Sequence, residues 1–327
     1  MLDTPMDILE QFPVRKTKRQ KQAFRTAVQS YAEKLNYPVT VEKGSFGVHN
    51  LILGDPETAN YLVTAHYDTC ARMLLPNLIT PCNLLLYLGY QFLLIFLIAV
   101  CAIALSALEA AVLAGISTLF GISLGDAWVI FAGLMVPSLI WINVFLLILL
   151  LLIGPANRHN ANDNTSGVVT LLEIARTMPE NQRHKICFVL FDLEEAGFFG
   201  SGSYRRKHAN STEHQLILNL DCVGDGDNLR MFPTKKLLKD RQKLTSLYKA
   251  CGYFGKKNLL VHEKGRYAYP SDQKNFPYGV GICALRKGKK TLYMSRIHTK
   301  KDIILDKTNV NILRAALTTF ICCTEVE

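Results

Sequence analysis

Apolar and polar residues follow three different regimes along the chain. From Lys16 to Leu35, the residues Phe24, Val28, Tyr31 and Leu35 recur at helical spacing, which predicts an amphipathic helix. Asn50 to Leu53 and Tyr61 to Ala65 read as short strands, separated by the turn signal Gly54–Asp55–Pro56. The pattern then changes abruptly. Leu84 to Leu105 is uncharged over twenty-two positions and Ala127 to Ile153 over twenty-seven, with Pro137 inside the second run as an expected kink. Each run is long enough, at about 1.5 Å per helical residue, to cross the roughly 30 Å apolar core of a bilayer. Between them, Ser106 to Asp126 carries Glu109, several glycines and Asp126, and is expected as an interfacial or re-entrant segment.

Beyond Asn160 the pattern is again that of a globular domain. Ser166 to Met178 reads as a helix, and Lys185 to Leu193 as a continuous apolar run of the kind that forms a strand buried on both faces. Leu216 to Leu220 and Val280 to Leu285 are further strands, and Thr308 to Cys323 a closing helix. Strands that alternate with helices predict an α/β fold with a mostly parallel mixed sheet flanked by helices, carrying an inserted transmembrane helical hairpin. The expected domains are therefore 1–72 joined with 157–327, interrupted by a membrane segment 73–156 whose helices span about 84–105 and 127–153. A buried helical hairpin or a greasy dimer face is the alternative; soluble cores rarely need two uncharged stretches of that length.

Charge adds orientation. The net charge of +10 suits an anionic membrane surface, while the chain has neither the aromatic–basic interleaving nor the Cys/His spacing of a nucleic-acid module, so no nucleic-acid partner is expected. No Lys or Arg occurs between Arg72 and Arg158, and the first twenty residues have no apolar core of a secretory signal. The nine cysteines are scattered without a CxxC pair, which reads as free thiols in a reducing compartment. These features place the flanking domain on the cytoplasmic side of a membrane.

Five segments carry candidate chemistry, most of them an acid or histidine at the end of an apolar strand. In Ala65-His66-Tyr67-Asp68-Thr69, the imidazole of His66 can face a metal while Asp68 accepts from its other ring nitrogen. In Asn162-Asp163-Asn164-Thr165-Ser166-Gly167, Asp163 stands at a helix entry, as a cap or as a carboxylate shared by two cations. In Phe191-Asp192-Leu193-Glu194-Glu195-Ala196-Gly197, two adjacent acids leave a buried strand and point in different directions, so that one can ligate and the other face a water. Asn219-Leu220-Asp221 again ends a strand in an acid, and His298-Thr299 lies near Asp302 and Asp306. Two imidazoles with several carboxylates suit zinc.

As an ordered set, HYDT, NDNTSG, FDLEEAGFFGS, NLD and HT resemble the di-zinc exopeptidases that include bacterial leucyl aminopeptidase, glutamate carboxypeptidase and glutaminyl cyclase. The stretch FPVRKTKRQKQAFR, with NLILGD after it, is similar to the start of bacterial members, which implies a bacterial cytoplasmic membrane. The resemblance implies a zinc-exopeptidase-like fold and two Zn2+ ions. Asp163 would bridge them, His66 and Asp221 would complete one site, and Glu195 and His298 the other. Asp68 would orient His66 and Glu194 would be the general base of a peptidase, most simply an aminopeptidase, acting on peptide substrates at a lipid bilayer. The chain departs from the pattern at Asn160, where the family usually has Gly, and in the apolar block, where it has a short loop. A glutaminyl-cyclase-like acyltransferase and a non-catalytic membrane scaffold of the same fold are the competing expectations.

Overall fold

The computed structural model describes residues 2–73, 75–120, 126–263 and 265–323, with side chains left out of the description at 126–134. The chain divides into two units, Met1–Leu84 with Ala156–Glu327, and Leu85–Pro155.

The first unit is built on a ten-stranded sheet. Its strands are β1 (Val39–Lys43), β2 (His49–Leu53), β3 (Tyr61–His66), β4 (Ile186–Phe191), β5 (Leu216–Leu220), β6 (Asn228–Pro233), β7 (Gly252–Phe254), β8 (Lys257–Val261), β9 (Gly279–Lys287) and β10 (Leu292–Tyr293). They lie in the order β1-β2-β4-β3-β5-β9-β6-β8-β7, with β10 on β9. The sheet is mixed, as expected: β4, β3, β5 and β9 are parallel neighbours, while β2 and β6 pair antiparallel on either side of them.

Burial on both faces explains why the central strands read as continuous apolar runs. Ile186, Phe188 and Leu190 of β4 enter one apolar cluster, and Cys187, Val189 and Phe191 enter another on the opposite face. The first cluster is closed by the helices Gly167–Thr177 and Lys307–Cys323, through Val168, Leu171 and Leu172 against Ile312, Leu313 and Leu317. The second is closed by Tyr204 of the helix Phe199–Lys207. The N-terminal helix runs Lys18–Lys34 and buries Phe24, Val28 and Tyr31. It begins at Lys18 because Thr17 and Gln20 form a reciprocal cap: the Gln20 N–H donates to Thr17 Oγ1, and the Thr17 N–H to Gln20 Oε1.

The second unit consists of the helices Leu84–Leu119, whose first residue belongs to the other unit, and Asp126–Ile153. Both contain stretches long and apolar enough to cross a membrane, Leu84–Leu119 and Met135–Ile153, and few of those side chains are buried. That exposure argues against a buried hairpin. The expectation of a separate interfacial segment from Ser106 to Asp126 is corrected over the described part: the first helix continues unbroken to Leu119, and Asp126 opens the second; 121–125 lie outside the described residues. The physical reason is that Glu109, which suggested an interruption, is satisfied inside the hairpin. Asn143 Nδ2 donates to Glu109 Oε2 and to Ser106 Oγ, each at 3.0 Å.

Candidate active site

Because β4, β3 and β5 run parallel in adjacent register, their carboxyl ends fall along one edge of the sheet. In open α/β sheets that edge is where ligands bind. His66 is the last residue of β3, Glu194 and Glu195 follow β4, and Asp221 follows β5. Asp163 arrives on the irregular turn that leads into the helix Gly167–Thr177, and His298 on the loop after β10. All six residues meet around one cleft of about 240 Å3.

The centre of the arrangement is Asp163. Its Oδ1 stands 3.2 Å from His66 Nε2, and its Oδ2 stands 2.9 Å from His298 Nε2. On the His66 side lie Asp221 Oδ1, at 3.7 Å from the same nitrogen, and Glu194 Oε2, at 3.9 Å. On the His298 side lies Glu195 Oε2, at 3.4 Å. One carboxylate thus faces two imidazoles with its two oxygens, and each imidazole has a further acid beside it.

The electrostatics follow from crowding acids in a buried place. Burial pushes Glu195 up to about 8, with Asp163 adding to the rise against His298. Burial likewise drives Glu194 well above the ordinary carboxylate range, reinforced by Glu195 and Asp221 and opposed by His66. Burial pulls both imidazoles down, yet the acids outweigh it: His66 is held well above its usual value by Glu194 and Asp163, and His298 is raised to about 9 by Glu195 and Asp163. The pocket draws positive charge, whether as protons or as cations.

The donors fit zinc. His66, Glu194 and Asp221, and separately His66, Asp163 and Glu195, place ligand atoms within 4.8 Å of one another. Glu195 Oε1 and Asp221 Oδ1 are buried without a hydrogen-bond partner. Buried polar atoms left in that state are costly, and cations held among them would offset the cost.

Several residues that hold this geometry escaped the sequence reading, or were given another role. Asp68 faces His66 Nδ1 at 3.6 Å, longer than a hydrogen bond, while its two oxygens accept the backbone N–H groups of Glu194 (3.0 Å) and Glu195 (3.2 Å). It fixes the turn that carries both acids. Asp302 does the same for Asp163: its oxygens accept the N–H groups of Asn162 (2.8 Å) and Asp163 (3.0 Å). Asp192 is fully buried and paired with Lys21 at 2.7 Å, which anchors the start of the Glu194–Glu195 turn to the N-terminal helix. Asn160 makes bonds that glycine could not: its amide donates to Pro13 O, and its Oδ1 accepts from Thr165 Oγ1. Gly167 is required by close approach, since a Cβ there would stand 2.4 Å from both Asn164 Oδ1 and Leu220 O. Leu193, Cys222 and His298 take positive φ next to the cleft, a costly conformation for non-glycine residues that tends to gather at functional sites.

Arg15 is the largest of these omissions. It is fully buried, and its Nε donates to Tyr67 O, its Nη1 to Phe12 O and its Nη2 to Thr165 Oγ1. It therefore ties the His66–Asp68 loop to the Asp163 loop. Arg15→Met keeps the bulk but strands those acceptors, and is expected to cost about 3–5 kcal/mol at roughly 1–3 kcal/mol per buried unsatisfied group. Thermal unfolding in detergent checks this; a shift within error of zero would show that the buried guanidinium is dispensable.

A sheet edge that gathers two imidazoles and four carboxylates over a narrow cleft defines a metallopeptidase centre. The chain belongs to peptidase family M28, whose model matches residues 151–321, just over half of the sequence, including Asp163, Glu194, Glu195, Asp221 and His298. The fold is that of zinc exopeptidases and their relatives. The LapA aminopeptidase of Legionella pneumophila superposes with a TM-score of 0.57 at 14% identity, over 99% of this chain and 70% of that one. The glutaminyl cyclase of Porphyromonas gingivalis gives 0.55 at 14% identity, over 98% and 97%. A zinc-dependent exopeptidase of Parabacteroides distasonis gives 0.54 at 17% identity, again over 98% and 97%. A sequence comparison with curated proteins finds no match. Family and fold together make the chain a zinc-dependent peptidase.

Proposed function

We propose that the protein is a membrane-embedded aminopeptidase with a two-zinc centre, and that Glu194 is its general base. The observation that carries the reading is the position of Asp163, with one oxygen toward His66 and the other toward His298. His66 and Asp221 hold one metal, Glu195 and His298 the other, and Asp163 belongs to both. Zinc bound there supplies Lewis-acid polarisation of the scissile carbonyl and an acidified water. Glu194, whose carboxyl lies in the cleft and is not needed to complete either set, takes the proton of the attacking water and returns it to the leaving amine. The surrounding acid favours a substrate with a free, positively charged amine.

Beyond the donors, Asn77, Ile79, Phe198, Tyr269, Met294 and Ile297 line the cleft. Its small volume and largely apolar wall suit an apolar terminal residue, and membrane-derived peptides such as fragments of signal sequences are the natural source. The enzyme is expected to hydrolyse leucyl peptides with a kcat/KM at least tenfold above that for glutamyl peptides in detergent, since an acid in this pocket would add to the negative charge. Equal values would reject the preference.

Residues 1–72 and 157–327 form the peptidase domain in this reading, and 73–156 its membrane insertion. His66 precedes the hairpin and Asp163 follows it, yet both serve one site, so the chain crosses an even number of times. With Arg72 and Arg158 flanking the hairpin, the active site belongs in the cytoplasm. A cysteine introduced at Lys236 should react with an impermeant maleimide only after cell lysis, and one near Ser123 in intact cells; the reverse pattern would place the active site outside.

The reaction itself is tested with three peptides. A peptide with a free N-terminus should release its first amino acid, and its N-acetylated form should not. A peptide beginning with Gln that loses ammonia without losing a residue would make the protein a cyclase instead, and inertness toward all three would favour a scaffold.

A further inference from the structure

Cys70 stands beside Glu195 and His298, and nothing in the proposed reaction uses it. Its Sγ, a Glu195 carboxylate oxygen and a His298 ring nitrogen all lie within 4.8 Å of one another. The backbone that presents it is held on several sides. The Thr69 N–H donates to Arg15 O, the Asn157 N–H donates to Cys70 O at 3.0 Å, and the Met73 N–H donates to His298 O at 2.7 Å. Cys70 is thus strapped to the same loop that delivers His298.

Packing does not account for the thiol. Cys187, Cys222 and Cys283 are buried members of apolar clusters, whereas Cys70 is buried and belongs to none of those found among the described residues. Cys222 also approaches Asp163 and Asp221, but it packs with Phe232, Tyr269 and Cys283, which explains its presence. Glu195, the acid beside Cys70, has in Oε1 a buried acceptor without a hydrogen-bond partner.

We propose that Cys70 is a further metal ligand, donating sulfur to the metal held by Glu195 and His298. The inference rests on the two-metal reading above. Ligands around one tetrahedral zinc, at about 2.0–2.3 Å from the ion, stand roughly 3–4 Å from each other, so small side-chain rotations bring the three donors onto one ion. On binding, the S–H bond gives way to an S–metal bond and the proton leaves to solvent. A thiolate beside imidazole and carboxylate tilts this position toward zinc, cobalt or cadmium and away from magnesium or manganese. The other position, with only nitrogen and oxygen donors, stays harder, so the two metals should exchange differently.

The test uses the full-length protein in detergent, loaded with Co(II) until two ions are bound per chain. Wild type should show thiolate-to-cobalt charge-transfer absorption in the near ultraviolet, fully developed by two ions per chain. Cys70→Ser should still bind two ions, held by Asp163, Glu195 and His298, but lose that absorption, while Cys222→Ser should keep it. A wild-type protein with two ions and no such band overturns the proposal, as does an unchanged band in Cys70→Ser. If wild type binds no metal at all, the two-metal reading fails and this inference with it; metal analysis separates the two failures. X-ray absorption at the zinc edge of the wild-type protein gives the answer without any variant: one sulfur neighbour per two zinc ions, at about 2.3 Å, supports it, and a shell of nitrogen and oxygen alone overturns it.

Discussion

Glu194→Gln should leave the metal content of the protein unchanged and slow peptide hydrolysis by about a hundredfold to ten-thousandfold, the usual contribution of a positioned general base. In barrier terms this is roughly 3–5 kcal/mol. Two adjacent acids divide the labour. Both leave β4 on a turn fixed by Asp68, which holds the Glu194 and Glu195 N–H groups. Consecutive residues on that turn diverge, so Glu195 reaches the His298 side while Glu194 Oε2 lies near His66 Nε2. Glutamine matches glutamate in size and can still accept through its carbonyl, so the turn and the donor sets survive, but it cannot take a proton. Burial, reinforced by Glu195 and Asp221 and opposed by His66, favours the protonated form of the Glu194 carboxyl and so its readiness to accept a proton. Turnover within a few fold of wild type would remove Glu194 from the reaction. Loss of metal in the variant would make it a ligand instead.

Asp163→Ala should weaken both metals together, the ion beside His66 and Asp221 most, and activity should fall to background. Glu195→Ala, which spares the bridging residue, should lose one metal first. The contrast is informative because the Asp163 loop has supports of its own. Asp302 holds that loop through the backbone N–H groups of Asn162 and Asp163, and Asn164 Nδ2 donates to Leu220 O at 2.9 Å. None of these bonds uses the Asp163 side chain, so the loop should keep its shape when the carboxylate is removed. Metal loss would also lower apparent stability by on the order of 4 kcal/mol for each site that had been saturated a thousandfold above its Kd. Retention of two zinc ions at wild-type affinity in Asp163→Ala would mean that the two donor sets do not share it.

The residues that carry chemistry were legible because each stands at a boundary the sequence marks. β4 is an unbroken apolar run, and two acids at its end are conspicuous. The same holds for His66 after β3 and Asp221 after β5. The supports of the site were not legible for the opposite reason. Arg15, Lys21 with Asp192, and Asp302 act through backbone atoms or through partners more than a hundred residues away, and such pairings leave no local pattern. The outer strands were missed too. β1, β6 and β8 carry polar or partly exposed residues such as Glu42, Arg230 and Lys257, and β6 ends in Pro233, so their hydropathy resembles that of loops. The helix Phe199–Lys207 escaped because two glycines and two serines dilute its pattern. In the apolar unit, Glu109 suggested a break in the helix because its partner Asn143 belongs to the other helix.

Two cations joined by one carboxylate are the core of the proposed centre. Anomalous diffraction at the zinc edge, from crystals of the full-length protein grown with zinc, measures this directly. Two peaks are expected, one beside His66 and Asp221 and the other beside Glu195 and His298, each about 2.0–2.2 Å from a different oxygen of Asp163. A single peak, or two peaks of which only one touches Asp163, would contradict it.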